Sequence, residues 1–355
     1  MAQLGTNPRV IKLAKDLGLP YRGDCLAHIR GFAVKRVEQI VDQSPVAVDN
    51  LDVLRRIVAD KFRVKLEFIY EDADVERIAA KYPSFHRGLL PRLQREFLVD
   101  GTEGITLERD EWDQFQFRYL AVIDARAERA ARAYFTAWHE LTHLLIHPEQ
   151  LPFPGFRRSP PRAAIAKDPL ESVVDHVAGN VAFYPPFFGP VVTAEVKRDG
   201  MFTFEVIDAA RAAAAPSASL FAAAMASIHY APTPTFFVAV DMALKKDEER
   251  AVRSPQQAFD FAHHEPVEKL RVVTVVQGSL LTGSALAIRR NMRVPERSVL
   301  TQAYESAVDV TLTADEDQSW WEASERGRLD PLSLRVHAIR RGRFVYGLIA
   351  AAART

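Results

Sequence analysis

From Leu26 onward apolar residues recur every three or four positions, at Ile29, Phe32, Ala33, Val37, Ile40 and Val41. That period predicts a helix, which Ser44-Pro45 ends. Asp49-Asn50 offers an N-cap for a second helix over residues 51–62, and residues 64–70 then alternate in the manner of a strand. Residues 72–96 are charged and read as helix, broken at Pro83 and Pro91. A second strand region ends at 117–124, where Tyr119-Leu120-Ala121-Val122-Ile123 is rich in strand formers. Residues 126–133 lead into an apolar helical run that Pro148 cannot continue.

The second half changes texture. Residues 150–169 carry prolines at 152, 154, 160, 161 and 169 and read as a surface loop. Pro169-Leu170-Glu171 opens a helix to about residue 183, which Pro185-Pro186 stops. Residues 205–214 and 220–230 form a helix pair around Pro216-Ser217, with a helix-turn-helix outline, and 235–240 is a strand. Beyond Ser254-Pro255, residues 272–281, 308–313, 334–339 and 343–350 are strand-like, the last two joined at Arg341-Gly342. The chain is therefore of α+β class, divided into an N-terminal arm (1–25), a mixed domain (26–195), a helical segment (196–254) and a C-terminal α+β domain (255–355).

Composition narrows the classes. With 355 residues, 48% hydrophobic and 26% charged, the chain has material for two or three globular domains. Lys plus Arg and Asp plus Glu both number 46, so no global charge directs it to nucleic acid or a membrane. Cys25 is the sole cysteine, which excludes intramolecular disulfides and cysteine-rich metal sites. The first 17 residues lack a secretory apolar core, and together these features point to a reducing, cytoplasmic setting. No stretch approaches the roughly 20 apolar residues that span a bilayer.

The chemistry concentrates in the apolar helix, at His139-Glu140-Leu141-Thr142-His143. Histidines four apart leave one helical face about one turn apart, as two ligands of a tetrahedral zinc ion require. Glu140 lies beside them and can act on a water as general base without being a ligand. His147 is eight residues from His139, about 12 Å of helical rise, so both cannot bind one ion. Glu171 and Asp175 share a face of the next helix. Glu171 is favoured as third ligand, Asp175 as the carboxylate that orients a ligand imidazole, and His176 points elsewhere. Tyr184, His147 and Tyr230 are the candidate proton donors to a developing oxyanion.

Residues Phe135 to His147 resemble the Phe-Thr-x-Ala-His-Glu-x-Gly-His-x-x-x-His segment of the ImmA/IrrE metallopeptidase family. Glu171-Ser172-Val173-Val174-Asp175-His176-Val177-Ala178, with Pro185 beyond, is similar to that family's glutamate helix. The resemblance covers about residues 26–250 and is most specific at the zinc helix. It implies a zincin-like peptidase core, a helix-turn-helix-like bundle and, as in the Deinococcus radiation-response type, a sensory C-terminal domain of GAF-like α+β fold. It further implies His139, His143 and Glu171 as ligands of Zn2+ (Mn2+ or Fe2+ being alternatives) and Glu140 as general base. The implied activity is cleavage of a regulatory protein, such as a helix-turn-helix transcriptional repressor, in a stress or mobile-element response. Two positions depart from the family. Thr142 stands where the family has glycine, which predicts altered packing over the helix, and Phe183-Tyr184-Pro185-Pro186-Phe187-Phe188 replaces an apolar tail near the substrate groove.

Other classes are weighed by composition. Residues 217–230 contain no Arg, Lys, Asn or Gln, so that helix is suited to packing rather than reading DNA. A DNA- or protein-binding regulator with a structural metal is the alternative, and the intact Glu140 argues against it. In the C-terminal domain Trp320-Trp321 places one ring in a core and leaves the other for an interface, such as a dimer contact. His263-His264 lacks companions at ligand spacing.

Overall fold

The computed structural model describes residues 2–83, 85, 87–110, 116–147, 156–158, 168–245, 247–249, 266–323 and 327–352. It is of mixed α+β class and divides into two compact units, Met1–Val191 with Arg211–Ala222, and Val192–Ala210 with Ala223–Thr355. The predicted break at 254–255 and His263-His264 lie outside the described residues, as does most of the proline-rich loop.

The first unit opens with α1 (Ala2–Gly5) and α2 (Pro8–Asp16). The Asn7 side chain caps α2 and Pro8 occupies its first turn, where no N–H is required. Val10 and Ala14 are fully buried, so this arm is part of the core. α3 (Cys25–Asp42) and α4 (Leu51–Lys61) follow, the latter capped by Asn50, whose Oδ1 accepts from Asp52 N and Val53 N at 3.0 Å each. Then come β1 (Val64–Ile69), α5 (Ala73–Lys81), α6 (Leu89–Gln94) with a wide turn at Arg95–Val99, β2 (Gly104–Glu108) and β3 (Tyr119–Asp124). A short turn at Ala127–Arg129 leads into α7 (Ala130–Leu145), followed by β4 (Phe156–Arg158) and α8 (Pro169–Val181).

The sheet order is β1-β3-β2-β4, with β1 parallel to β3 and the other pairs antiparallel. Period-2 alternation sorts its faces. Ile105 and Leu107 of β2 join Leu120 and Val122 of β3 in a core under α5 and α6. Ile123 packs with Ala133 and Ala137 of α7 on the other face. α7 is thus a central helix, and every residue from Thr136 to Leu145 is buried. Burial of Trp138, Leu141, Leu144 and Leu145 contributes about 1.5–3 kcal/mol each, offsetting the desolvation of the polar groups interleaved with them.

Pro185 opens a helix as well as closing one. α9 (Pro185–Asp199) begins there, because proline in a first turn sacrifices no hydrogen bond, and Pro190 is accommodated within it. Residues 185–192 are almost wholly apolar with three prolines, and the polar residues gather at the C-terminal end, so 185–199 carries little helical period, which is why the sequence did not predict it. Phe183 and Phe188 are buried with ring centroids 4.8 Å apart, and Phe183 lies 5.8 Å from Tyr134 of α7. This aromatic stretch is core. α10 (Phe204–Ala214) and α11 (Leu220–Ser227) are the predicted helix pair, with the turn between them held by Arg211 on the Pro216 and Ala218 carbonyls.

The second unit is built on an antiparallel sheet comprising β5 (Thr235–Ala243), β6 (Lys269–Gln277), β7 (Val310–Asp317), β10 (Ser333–Arg341) and β11 (Phe344–Ala351), in the order β6-β5-β11-β10-β7. Two-residue strands β8 (Glu322–Ala323) and β9 (Gly327–Arg328) pair beside it. β5, grouped by sequence with the helical segment, is interior to this sheet, since only there are both of its edges paired. α12 (Val299–Glu305) crosses one face over Gly347, where a Cβ would stand 2.7 Å from Leu300 Cδ2. Trp321 is fully buried in that core, whereas Trp320 is partly exposed beneath the Arg297 guanidinium, 3.6 Å from its ring centre. Among the described residues no helix is long and apolar enough to cross a membrane.

Candidate metal centre

The site is assembled where α8 packs on α7. Asp168 caps α8, its Oδ1 accepting from Leu170 N at 2.8 Å, and Pro169 starts the first turn. Glu171 therefore sits in that first turn and Asp175 one turn later on the same face. α7 is anchored at both ends. At its start the buried Asp124 receives Arg126 Nε at 2.9 Å, Arg126 Nη2 at 2.8 Å and an Arg129 guanidinium. Burial alone would raise the Asp124 carboxyl. Hydrogen bonds from the Arg126 side chain and backbone and from Arg129 outweigh it and hold the carboxyl below its ordinary range. At the other end Arg36 Nη1 donates to Leu145 O at 2.9 Å, satisfying a terminal carbonyl. Tyr134 Oη donates to Ala182 O at 2.5 Å, tying α7 to the end of α8.

Between these anchors three ligand-type atoms converge. His139 Nε2 lies 3.1 Å from His143 Nε2 and 3.1 Å from Glu171 Oε2, and His143 Nε2 lies 3.6 Å from Glu171 Oε1. One ligand atom from each of the three residues lies within 4.8 Å of the others. Two donors at ~2.05 Å from a tetrahedral ion stand about 3.3 Å apart, so these spacings fit one small cation. The donor chemistry agrees with that fit. Asp175 Oδ1 is 2.8 Å from His139 Nδ1, which in a neutral ring places the proton there and turns the Nε2 lone pair toward the cluster. With its proton at Nδ1, His139 turns an Nε2 lone pair on Glu171 Oε2 at 3.1 Å, two acceptors face to face, a contact that a cation held between them relieves. His139 is 1% exposed and His143 is buried, while Glu171 remains partly open to solvent. The group could hold a metal ion.

The other expected residues fall in different places. Glu140, also 1% exposed, directs Oε2 to Thr106 Oγ1 on β2, which donates at 2.6 Å. His147 lies just past the end of α7 and outside the three-residue group. Tyr184 is buried, and burial first, then the charges of Glu38 and Asp42 on α3, push its hydroxyl pKa up. Tyr230 belongs to the second unit. Thr142 keeps its hydroxyl within the helix, donating to Trp138 O at 2.7 Å, and so leaves no unsatisfied group where the resembled family has glycine.

The close backbone approach occurs elsewhere. A Cβ on Gly104 of β2 would stand 2.7 Å from Thr136 Cγ2 and 2.9 Å from Glu140 Oε1. Glycine is required on the strand, and the helix residues it touches are Thr136 and Glu140. Sequence reasoning missed Gly104 and Thr106 because it treated the stretch before residue 117 as one loose strand region. The alternation Gly104-Ile105-Thr106-Leu107 was the available signal, placing glycine and threonine together on one face. Comparison with protein-family models and with curated proteins finds no match for this chain in either.

Proposed function

We propose that this chain is a metal-dependent peptidase that uses zinc at His139, His143 and Glu171. The observation that carries this reading is the convergence of two imidazole Nε2 atoms and a carboxylate within 4.8 Å, with a second carboxylate, Asp175, holding the His139 ring at Nδ1. Zinc, when bound, supplies Lewis acidity that polarises a peptide carbonyl and makes a water easier to deprotonate. His139, His143 and Glu171 complete three protein ligands, which leaves a fourth position for chemistry. Glu140 accepts the proton at its carboxylate during attack and delivers it to the leaving amine. Asp175 keeps the His139 ring from rotating, and the surrounding apolar side chains of α7 exclude bulk water. Manganese and iron suit the same ligands, with availability deciding among them.

In this reading the substrate is a regulatory protein, such as a helix-turn-helix repressor encoded nearby, and the second unit senses the signal. A Glu140→Gln variant is expected to retain the parent's zinc content and lose cleavage of a peptide library read by mass spectrometry. A His139→Ala/His143→Ala variant is expected to lose the metal as well. Cleavage that survives Glu140→Gln removes the general-base assignment. Zinc retained by a parent that cleaves neither the library nor the neighbouring repressor favours a regulator with a structural metal instead.

A further inference from the structure

We infer that Thr106 is a positioning residue for Glu140, and this rests on the peptidase reading above. A glutamate side chain has three rotatable bonds, so adjacency to the histidines on α7 does not by itself orient its carboxylate. β2 supplies the orientation. Thr106 Oγ1 donates to Glu140 Oε2 at 2.6 Å, and both residues are buried, Thr106 completely. On the same face, two positions earlier, Gly104 brings its backbone against Glu140 Oε1 and Cγ, where a Cβ would stand 2.9 and 3.4 Å away. Opposite Thr106 on β3 is Ala121, a residue small enough to leave the hydroxyl a path to the helix.

The arrangement is specific in its parts. A threonine hydroxyl is compact and neutral, so it donates one hydrogen bond without adding a charge beside the cluster. Its contact spans 34 sequence positions, so it is made only when β2 is seated on α7. The carboxylate is therefore held before substrate arrives, and no ordering of Glu140 is left to the reaction step. Thr142, by contrast, spends its hydroxyl on its own helix and positions nothing else.

The test is acetohydroxamic acid binding to the zinc-loaded full-length protein, measured by calorimetry. A hydroxamic acid chelates through its two oxygens and shares its proton with a neighbouring carboxylate, so its affinity reports on Glu140 independently of turnover. Thr106→Val is expected to weaken binding about tenfold, with zinc stoichiometry unchanged, and Thr106→Ser to restore most of it. Thr106→Ala serves the same purpose if valine fails to fold. Placed on a Glu140→Gln background, Thr106→Val should add nothing. Parent-like affinity in Thr106→Val and Thr106→Ala, with Glu140→Gln weakened, overturns the role of Thr106 and leaves the peptidase reading standing. Parent-like affinity in Glu140→Gln overturns both, and zinc loss accompanying Thr106→Val reduces the residue to a structural one.

Discussion

Buried ionisable groups occur in both units, yet they are arranged in opposite ways. In the first unit His139, His143 and Glu171 turn their ligand atoms toward one point, and Asp175 supports them from behind. In the second unit the buried groups are dispersed, each bonded separately to nearby backbone or hydroxyl groups. Arg271 donates to Ala243 O at 3.2 Å and Asn291 O at 3.0 Å. Glu316 Oε1 accepts from Ser298 Oγ and Val299 N at 2.9 Å each, while its Oε2 has no hydrogen-bond partner among the described residues. His337 Nδ1 lies 2.9 Å from Thr313 Oγ1 on the neighbouring strand. Burial of charge alone therefore does not mark a site. Convergence on a common point does, because several desolvated groups sharing one focus are costly unless something bound there stabilises them.

The sharpest challenge to this contrast comes from a buried charge in the first unit that belongs to neither pattern. Asp124 is fully buried among arginines, and Asp124→Asn is expected to cost about 3 kcal/mol in thermal or urea unfolding, since it removes the buried carboxylate that Arg126 and Arg129 share and leaves them their bonds to Asp72 and to the Phe97 and Thr102 carbonyls. The sign of its pH dependence follows from the depressed carboxyl. Its stabilisation is present above the ordinary value of 3.8 and lost as pH falls through the lower folded value, so the variant should lack that part of the acid transition. Asp124→Asn that stays folded yet loses zinc at neutral pH would blur the distinction between anchoring and ligation.

A smaller effect, confined to the metal, is expected of Asp175→Asn. Weakening the acceptor at His139 Nδ1 should lower zinc affinity about 10–100-fold in a chelator competition while leaving the unfolding midpoint of the apo protein nearly unchanged. Unaltered affinity would demote Asp175 to a surface partner of the ring.

Least is expected of Glu316→Gln. Burial raises the Glu316 carboxyl above its ordinary 4.5, against the opposing hydrogen bonds from Val299 and Ser298. A raised folded value means stability that is full below 4.5 and lost as pH rises through the folded value, so removing the charge should raise neutral-pH stability by about 1 kcal/mol and flatten that slope. Zinc content should not change. A change in metal binding would couple the dispersed set to the convergent one.

Much of this was legible in local pattern. The 3.6-residue period marked α3 and α7, Asn50 announced α4, alternation marked β1, and runs of strand-forming residues marked β3, β10 and β11. The spacing of His139 and His143, and of Glu171 and Asp175, placed each pair on one helical face, because four residues is about one turn whatever the surroundings. What local pattern could not supply was which face meets which. The sequence by itself determined α3, α4, α7, α8 and the α10–α11 pair, the Asn50 cap and the residue types able to hold a metal. Only the tertiary structure decided that α8 lays Glu171 against His139, that β5 pairs inside the C-terminal sheet, and that Gly104 and Thr106 of β2 close on Glu140. Those contacts join residues far apart in the chain, and their energies exist only once the intervening chain has folded to bring the partners together.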